Sequence, residues 1–168
     1  MQTITDIHEI ETVQAQLLGR LINDWALLTV GTPERFNTMT IAWGSLGDMW
    51  WKPVIDCYVA PSRYTYGFMQ QHDLFTVSFF PPEFKSDLQI LGSESGRDGN
   101  KIAHTKLTSL MLDQGITFEQ ADTTLVCKKL YTQPLDPAQI PPEDMNEYYR
   151  TMEPHTLFMG QILSVVKA

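Results

Sequence analysis

The stretch WALLTVGTPERFNTMTIAWG, Trp25 to Gly44, decides the fold class. WALLTVGT (Trp25 to Thr32) and NTMTIAWG (Asn37 to Gly44) are apolar and rich in β-formers, and Pro33, Glu34 and Arg35 make a hairpin-like connection, so the stretch reads as two adjacent strands. Side chains alternate along a pleated strand, so Asn37, Met39, Ile41 and Trp43 share one face and Thr38, Thr40 and Ala42 the other. Alternating threonines are commonly a solvent-facing surface; the other reading is that one face meets a polar ligand.

Outward from this hairpin, Ile10, Val13, Leu17 and Leu21 recur at helical spacing and predict an amphipathic helix from about Ile10 to Ile22, ending near Asn23 and Asp24. On the other side, a loop with Gly47, Trp50 and Trp51 leads to a strand, PVIDCYVAP, from Pro53 to Pro61. Thr65 to Gln71 predicts a two-turn helix and Leu74 to Phe80 a further strand. Phe84, Leu88 and Leu91 place a helix over Glu83 to Leu91, which Gly92, Gly96 and Gly99 break into a glycine-rich loop. Helical and loop segments are expected from there to Thr123. TTLVCKKLYTQPL (Thr123 to Leu135) and HTLFMGQILSVV (His155 to Val166) are the last long strands, separated by a proline- and acid-rich excursion from Asp136 to Glu153, whose Tyr148, Tyr149 and Arg150 could cover an active site, make a dimer contact or belong to a plain surface insertion.

Six or more strands, short helices and no regular strand-helix alternation predict a mainly β fold, an antiparallel barrel with helical additions, as a single domain over residues 1–168. The chain lacks GxGxxG and GxxxxGK[ST], the commonest signals for dinucleotides and nucleoside triphosphates. With 168 residues, 43% hydrophobic and 19% charged, it has the composition of a globular protein with one core. No apolar run reaches the eighteen residues of a membrane helix, and Met1 to Asp6 lacks a signal-peptide pattern, so a cytoplasmic location away from membranes is expected. Cys57 and Cys127 sit in strand-like apolar runs and read as buried reduced thiols. His8, His72 and His104 have no partners at metal-ligand spacing, so no metal site is expected.

The net charge of −8 argues against nucleic acid as a partner, so an anionic ligand would have to be met locally. Arg63, Arg97 and Lys101 stand among small residues and glycines in two loops, where a positive spot could form. In PSRYT (Pro61 to Thr65), a strand end meets a helix start, so Ser62, Thr65 and nearby N–H groups can face an anion while Arg63 supplies charge. An ordinary N-cap is the other reading of the same residues. SESGRDGNK (Ser93 to Lys101) offers Ser95, Arg97 and Lys101 in a tightly bending loop, which suits phosphate or a solvated turn equally.

Taken in order and spacing, NTMTIAWGSLG, KPVIDCYVAPSRYTYGFM, LFTVSFF, SGRDGNK and HTLFMGQI resemble the flavin reductase-like family with the FMN-binding split-barrel fold, flavoredoxin-like flavin reductases included. The resemblance runs from about Trp25 to Val165. It implies that Asn37, Thr38, Met39, Thr40, Ala42 and Trp43 line the isoalloxazine ring of one FMN. It implies phosphate and ribityl contacts from Ser62, Arg63, Tyr64 and Thr65, with Ser95, Gly96, Arg97, Asp98 and Lys101 closing the site. It further implies a homodimer with flavin near the subunit interface, NADH or NADPH as donor, and a flavin, a metal complex or a protein as electron acceptor. His155 falls where many such reductases carry a histidine near the nicotinamide; a histidine merely packed at the strand end fits as well, since Glu153 and Pro154 replace the family's usual Gly-Asp. Leu91, Gly92, Ser93 and Glu94 stand where relatives often have Cys-Gly-Thr-His, which excludes a redox thiol there. An electron carrier without its own NAD(P)H site, or a non-catalytic module, remains an alternative to the reductase.

Overall fold

The computed structural model describes all 168 residues. After a short strand, β1 (Gln2–Ile4), comes the helix α1 (Ile7–Asn23). It starts earlier than hydrophobic spacing indicates because the Asp6 carboxylate caps it, accepting from the His8 and Glu9 N–H groups at 3.0 and 3.1 Å. Ile10, Val13, Leu17 and Leu21 are buried, each burial contributing about 2 kcal/mol before entropy is charged against it.

The hairpin strands are β2 (Ala26–Thr32) and β3 (Arg35–Ile41), joined through Pro33 and Glu34. They are followed by β4 (Gly44–Asp48), β5 (Pro53–Val59), α2 (Tyr64–Gln71), β6 (Leu74–Phe79), α3 (Lys85–Ser93), β7 (Ser109–Leu112), β8 (Gly115–Phe118) and β9 (Thr123–Pro134). Helix α4 (Pro142–Tyr148) lies in the excursion and β10 (Thr156–Lys167) ends the chain. Two segments depart from the sequence reading. Residues 44–48 form an edge strand because their backbone pairs with β5, although Leu46 is their only large apolar side chain. Residues 109–118, expected as helix or loop, form a β-hairpin.

The fold is mainly β with four helices, and every pairing is antiparallel. The large sheet runs β3-β2-β6-β9-β10-β5-β4, with β1 beside β10 and the β7-β8 hairpin separate. No ladder closes the path: β3 and β4 are its edges, linked in sequence by Ala42 and Trp43. The larger core, 23 buried residues, draws on α1, α2 and both ends of this path, so the sheet is rolled around it. Register shifts at Met159/Gly160 and Ile162/Ser164 bend β10 around that core. Gly160 is required there, since a Cβ would lie 2.8 Å from Phe75 Cε1. Leu27, on the opposite face of β2 from Leu28, packs with Leu88, Leu91 and Phe118 in a second cluster that seats α3 and the hairpin.

That seating overturns the solvent-facing reading of the β3 threonines. Thr38 is buried with its hydroxyl 2.9 Å from that of Thr29, and Thr40 donates to the Leu88 carbonyl of α3. Between β4 and β5, Trp50 and Trp51 form a two-residue turn with φ of 57° and 58°. Their left-handed backbone and 60% and 91% exposure leave two aromatic rings on an energetically costly turn.

Candidate functional site

Helix α2 begins at the end of β5, with Arg63 as N-cap and no side-chain cap bond. The ordinary capping reading of Ser62 and Thr65 is therefore not realised. Thr65 is buried and accepts from the Asn37 amide of β3 at 2.7 Å, while Ser62 stays exposed. An uncapped helix start carries N–H groups and a positive dipole end with no protein partner, which favours an anion.

The loop after α3 folds back over this helix start. Arg63 donates to the Gly92 carbonyl at 2.5 Å, and Arg97 donates to the Ser62 carbonyl at 3.0 Å while standing over the Tyr64 ring. Ser95 Oγ accepts from the Arg97 N–H, fixing the turn. At Gly96 the chain passes so close to Asn37 that a Cβ would collide with its side-chain oxygen, and it would sit 3.0 Å from Tyr64 Cδ1. Only glycine lets the loop lie on β3 and α2.

Lys101, read from sequence as a loop cation, is 5% exposed and donates to the Leu91 and Glu94 carbonyls at 2.6 and 3.0 Å. It thus caps the C-terminal end of α3, where the helix dipole favours a cation. Burial, and then the charge of Arg63, push its ammonium down to about 8. Burial also lowers the Arg63 guanidinium. None of the four ion pairs in the chain includes Arg63, Arg97 or Lys101, and the neighbouring Glu94 carboxylate is taken by His104 at 2.7 Å. These three cations, with Ser62, Thr65 and Ser95, line a polar cleft of about 210 Å³.

Arg63 and Met39 also line an adjoining cavity of about 330 Å³, walled by Thr40, Ala42, Trp43, Tyr58, Met152 and His155. The Trp43 and His155 rings meet at a tilt of 53° with centroids 5.2 Å apart, and Tyr148 stands edge-on to Trp43 at 5.4 Å, so the excursion reaches the cavity rim. Burial, and secondarily Arg63, hold the His155 imidazole below its ordinary pKa, which keeps it neutral at pH 7. Cleft and cavity form one trough, cationic at one end and apolar at the other.

The trough brings together Asn37, Met39, Thr40, Ala42, Trp43, the Ser62–Thr65 turn, Ser95, Gly96, Arg97, Lys101 and His155. Thr38 lines a third cavity behind the Gly96 loop. Asp98 is exposed and lines none of the three. Tyr149, in the excursion that the sequence offers as a cover for the site, stands against His155, whereas Tyr58 and Met152 line the cavity without a sequence reading that points to them; the position of Tyr58 on β5, two residues before Ala60 at the entry to the PSRYT turn, is the available signal. Cys57 and Cys127 are free thiols in the core, and burial raises both pKa values, so neither supplies a thiolate to the trough. No three His, Cys, Asp or Glu side chains converge as a metal site, and no helix is long and apolar enough to cross a membrane.

By sequence, the chain matches no protein-family model and no curated protein. By structure, it is similar to an FMN-binding protein from Thermus thermophilus with bound 1-cyclohex-2-enone, at TM-score 0.68 and 23% identity over 85% of this chain and 69% of that one. It is also similar to flavoredoxin from Methanosarcina acetivorans, at TM-score 0.65 and 19% identity, over 86% of this chain and 68% of the other. A third likeness is to an NADH:FAD oxidoreductase of Streptomyces globisporus in complex with NAD and FAD fragments, at TM-score 0.66 and 12% identity, over 86% and 74%. The chain therefore has the fold of FMN-binding flavin reductase-like proteins and flavoredoxins.

Proposed function

We propose that the chain binds one FMN along the trough and works as a flavin reductase-like oxidoreductase. On this reading the rolled sheet is a split barrel, residues 1–168 are one such domain, and the protein is a homodimer with flavin near the subunit interface. The observation that carries the reading is the cluster of Arg63, Arg97 and Lys101, none of them in an ion pair and with Glu94 the one carboxylate in the cleft, at the uncapped start of α2 and beside an apolar cavity. The residues fit the cofactor: the cationic cleft suits a phosphate, and the cavity along β3 suits a flat ring.

Ser62, Arg63, Thr65, Ser95 and Arg97 would hold the phosphate, and Asn37, Met39, Thr40, Ala42 and Trp43 would line the ring. Lys101 keeps the Gly96 loop in place and adds positive charge from behind it. A bound flavin would supply the redox chemistry that links NADH or NADPH to a diffusible flavin, a metal complex or a protein acceptor. Arg63, which lines both cleft and cavity, would offer its positive charge to a flavin held there. Trp43, Met152 and Tyr58 wall the cavity, and His155 beside them would orient the second substrate. The likeness to an NADH:FAD oxidoreductase supports this reading, and the likeness to flavoredoxin supports an electron carrier equally.

The deciding experiment is visible absorbance of the purified protein under anaerobic conditions, before and after NADH and then NADPH, with the released flavin identified by mass. Bleaching by either donor supports the reductase. A flavin band that only dithionite bleaches would assign the electron carrier, and no band after reconstitution with FMN would refute flavin binding.

A further inference from the structure

We infer that Tyr149 is a positioning residue that holds the His155 imidazole as its Nε2–H tautomer, so that the apolar cavity offers an N–H donor to a carbonyl oxygen of the second substrate. The assignment of a second substrate rests on the flavin-dependent reading above; the tautomer does not.

The excursion between β9 and β10 brings Tyr149 edge-on to His155, with ring centroids 5.6 Å apart, and sets its hydroxyl 3.1 Å from Nδ1. That is the only hydrogen bond the imidazole makes within the chain, so Nε2 is left without a protein partner on a residue that lines the cavity. Burial and Arg63 keep the ring neutral at pH 7, so one nitrogen donates and the other accepts. A phenol is a stronger acid than a neutral imidazole N–H, and imidazole nitrogen is a stronger base than phenol oxygen. Tyr149 therefore donates to Nδ1, which places the ring proton on Nε2.

The surroundings narrow what that donor can meet. Thr40, whose hydroxyl is the one that β3 brings to the cavity lining, is committed to the Leu88 carbonyl. No carboxylate lines the cavity, and Met39, Ala42, Trp43 and Met152 form its apolar walls. With Arg63 and the Tyr58 phenol as its other polar lining, such a slot takes a flat ring carrying a carbonyl oxygen, either the carboxamide of a nicotinamide or a ring ketone.

The test is nitrogen NMR of histidine-labelled, ligand-free protein at pH 8, with His155→Asn identifying the signal, followed by kinetics of the FMN-loaded protein. We expect wild type to show an acceptor-type Nδ1 and a protonated Nε2, and Tyr149→Phe to show averaging between tautomers. In the loaded protein, Tyr149→Phe should leave the FMN Kd within about twofold and weaken the second substrate by about threefold to tenfold. A rise in the KM for NADH assigns the carboxamide, and a rise in the Kd of cyclohex-2-enone assigns the ketone. A protonated Nδ1 in wild type, or a tautomer unmoved by Tyr149→Phe, overturns the inference. Failure of wild type to bind FMN refutes the proposed function alone, because the ligand-free spectra still judge the tautomer.

Discussion

Replacing Arg63 by alanine should separate ligand affinity from folding stability. The guanidinium is partly buried, donates to the Gly92 carbonyl at 2.5 Å and has no carboxylate partner, so its charge is free to meet a phosphate. A charge-assisted hydrogen bond in such a place contributes about 1.5–3 kcal/mol, which is a loss of about 10- to 150-fold in FMN affinity. Folding responds to two opposed effects. The variant loses the bond to Gly92 and is relieved of a desolvated cation, whose depressed pKa marks the cost of its burial. The net change should stay within about 1 kcal/mol, or about 2–4 °C in Tm for a chain of this size. Arg97 serves as the internal contrast, being exposed, and Arg97→Ala should weaken FMN by no more than about fivefold. Titration of apoprotein by quenching of flavin fluorescence gives the affinities and calorimetry gives the Tm. An Arg63→Ala affinity within twofold of wild type, or a larger loss at Arg97 than at Arg63, would refute this assignment of the anion seat.

The Gly96 loop, the buried lysine and the tryptophan turn give three more expectations. Gly96→Ala puts a Cβ against the Asn37 side chain, whose amide is bonded to Thr65, so it should cost about 1–3 kcal/mol in urea unfolding and about tenfold or more in FMN affinity; an unchanged midpoint would show that the loop does not rest on β3. Lys101 is depressed from 10.5 to about 8, so between those pH values the unfolded chain holds a proton that the folded chain has released. Ligand-free stability should therefore rise across that window relative to Lys101→Met, while FMN affinity falls, by at most about tenfold per pH unit above 8; parallel curves for the two proteins would remove Lys101 from both effects. Replacing Trp50 by Asn and Trp51 by Gly relieves two left-handed backbones and should stabilise the protein by about 1–2 kcal/mol in urea. A loss of stability would mean that the indole rings pack in solution more than their exposure indicates.

What the sequence made legible was whatever repeats along a strand or closes on a neighbouring residue. Residues 123–134 and 156–167 are long runs of apolar and β-branched side chains, and nothing else fits them. By contrast, Gly44 to Asp48 contains two glycines and only one large apolar side chain; its strand character comes from pairing with β5, a contact across sequence. Residues 109–118 do not alternate either: Leu110, Met111 and Leu112 are consecutive apolar residues and Ile116, Thr117 and Phe118 are all buried, so only Asp113, Gln114 and Gly115 at the turn hint at the hairpin. In the trough, residue types marked Arg63 and Arg97 as anion-facing, but no local pattern could tell that Thr65 is held by Asn37 or that Thr40 turns to Leu88. Those bonds depend on where α3 docks, which the sequence does not encode locally.

The way the cations are held bears on how the trough can accept an anion at all in a chain of net charge −8. Had Arg63, Arg97 or Lys101 been paired with carboxylates, an incoming phosphate would have had to displace a like charge and leave it stranded in a partly buried place. Each of the three is anchored instead on backbone carbonyls: Gly92 for Arg63, Ser62 for Arg97, and Leu91 with Glu94 for Lys101. A carbonyl orients a cation without cancelling its charge, so the positive field survives and its geometry is set before any ligand arrives. The cost appears in the depressed pKa values of Lys101 and Arg63, which register charge kept out of water without full compensation. An arrangement that raises the energy of the empty protein in this way is one that an anion relieves on binding.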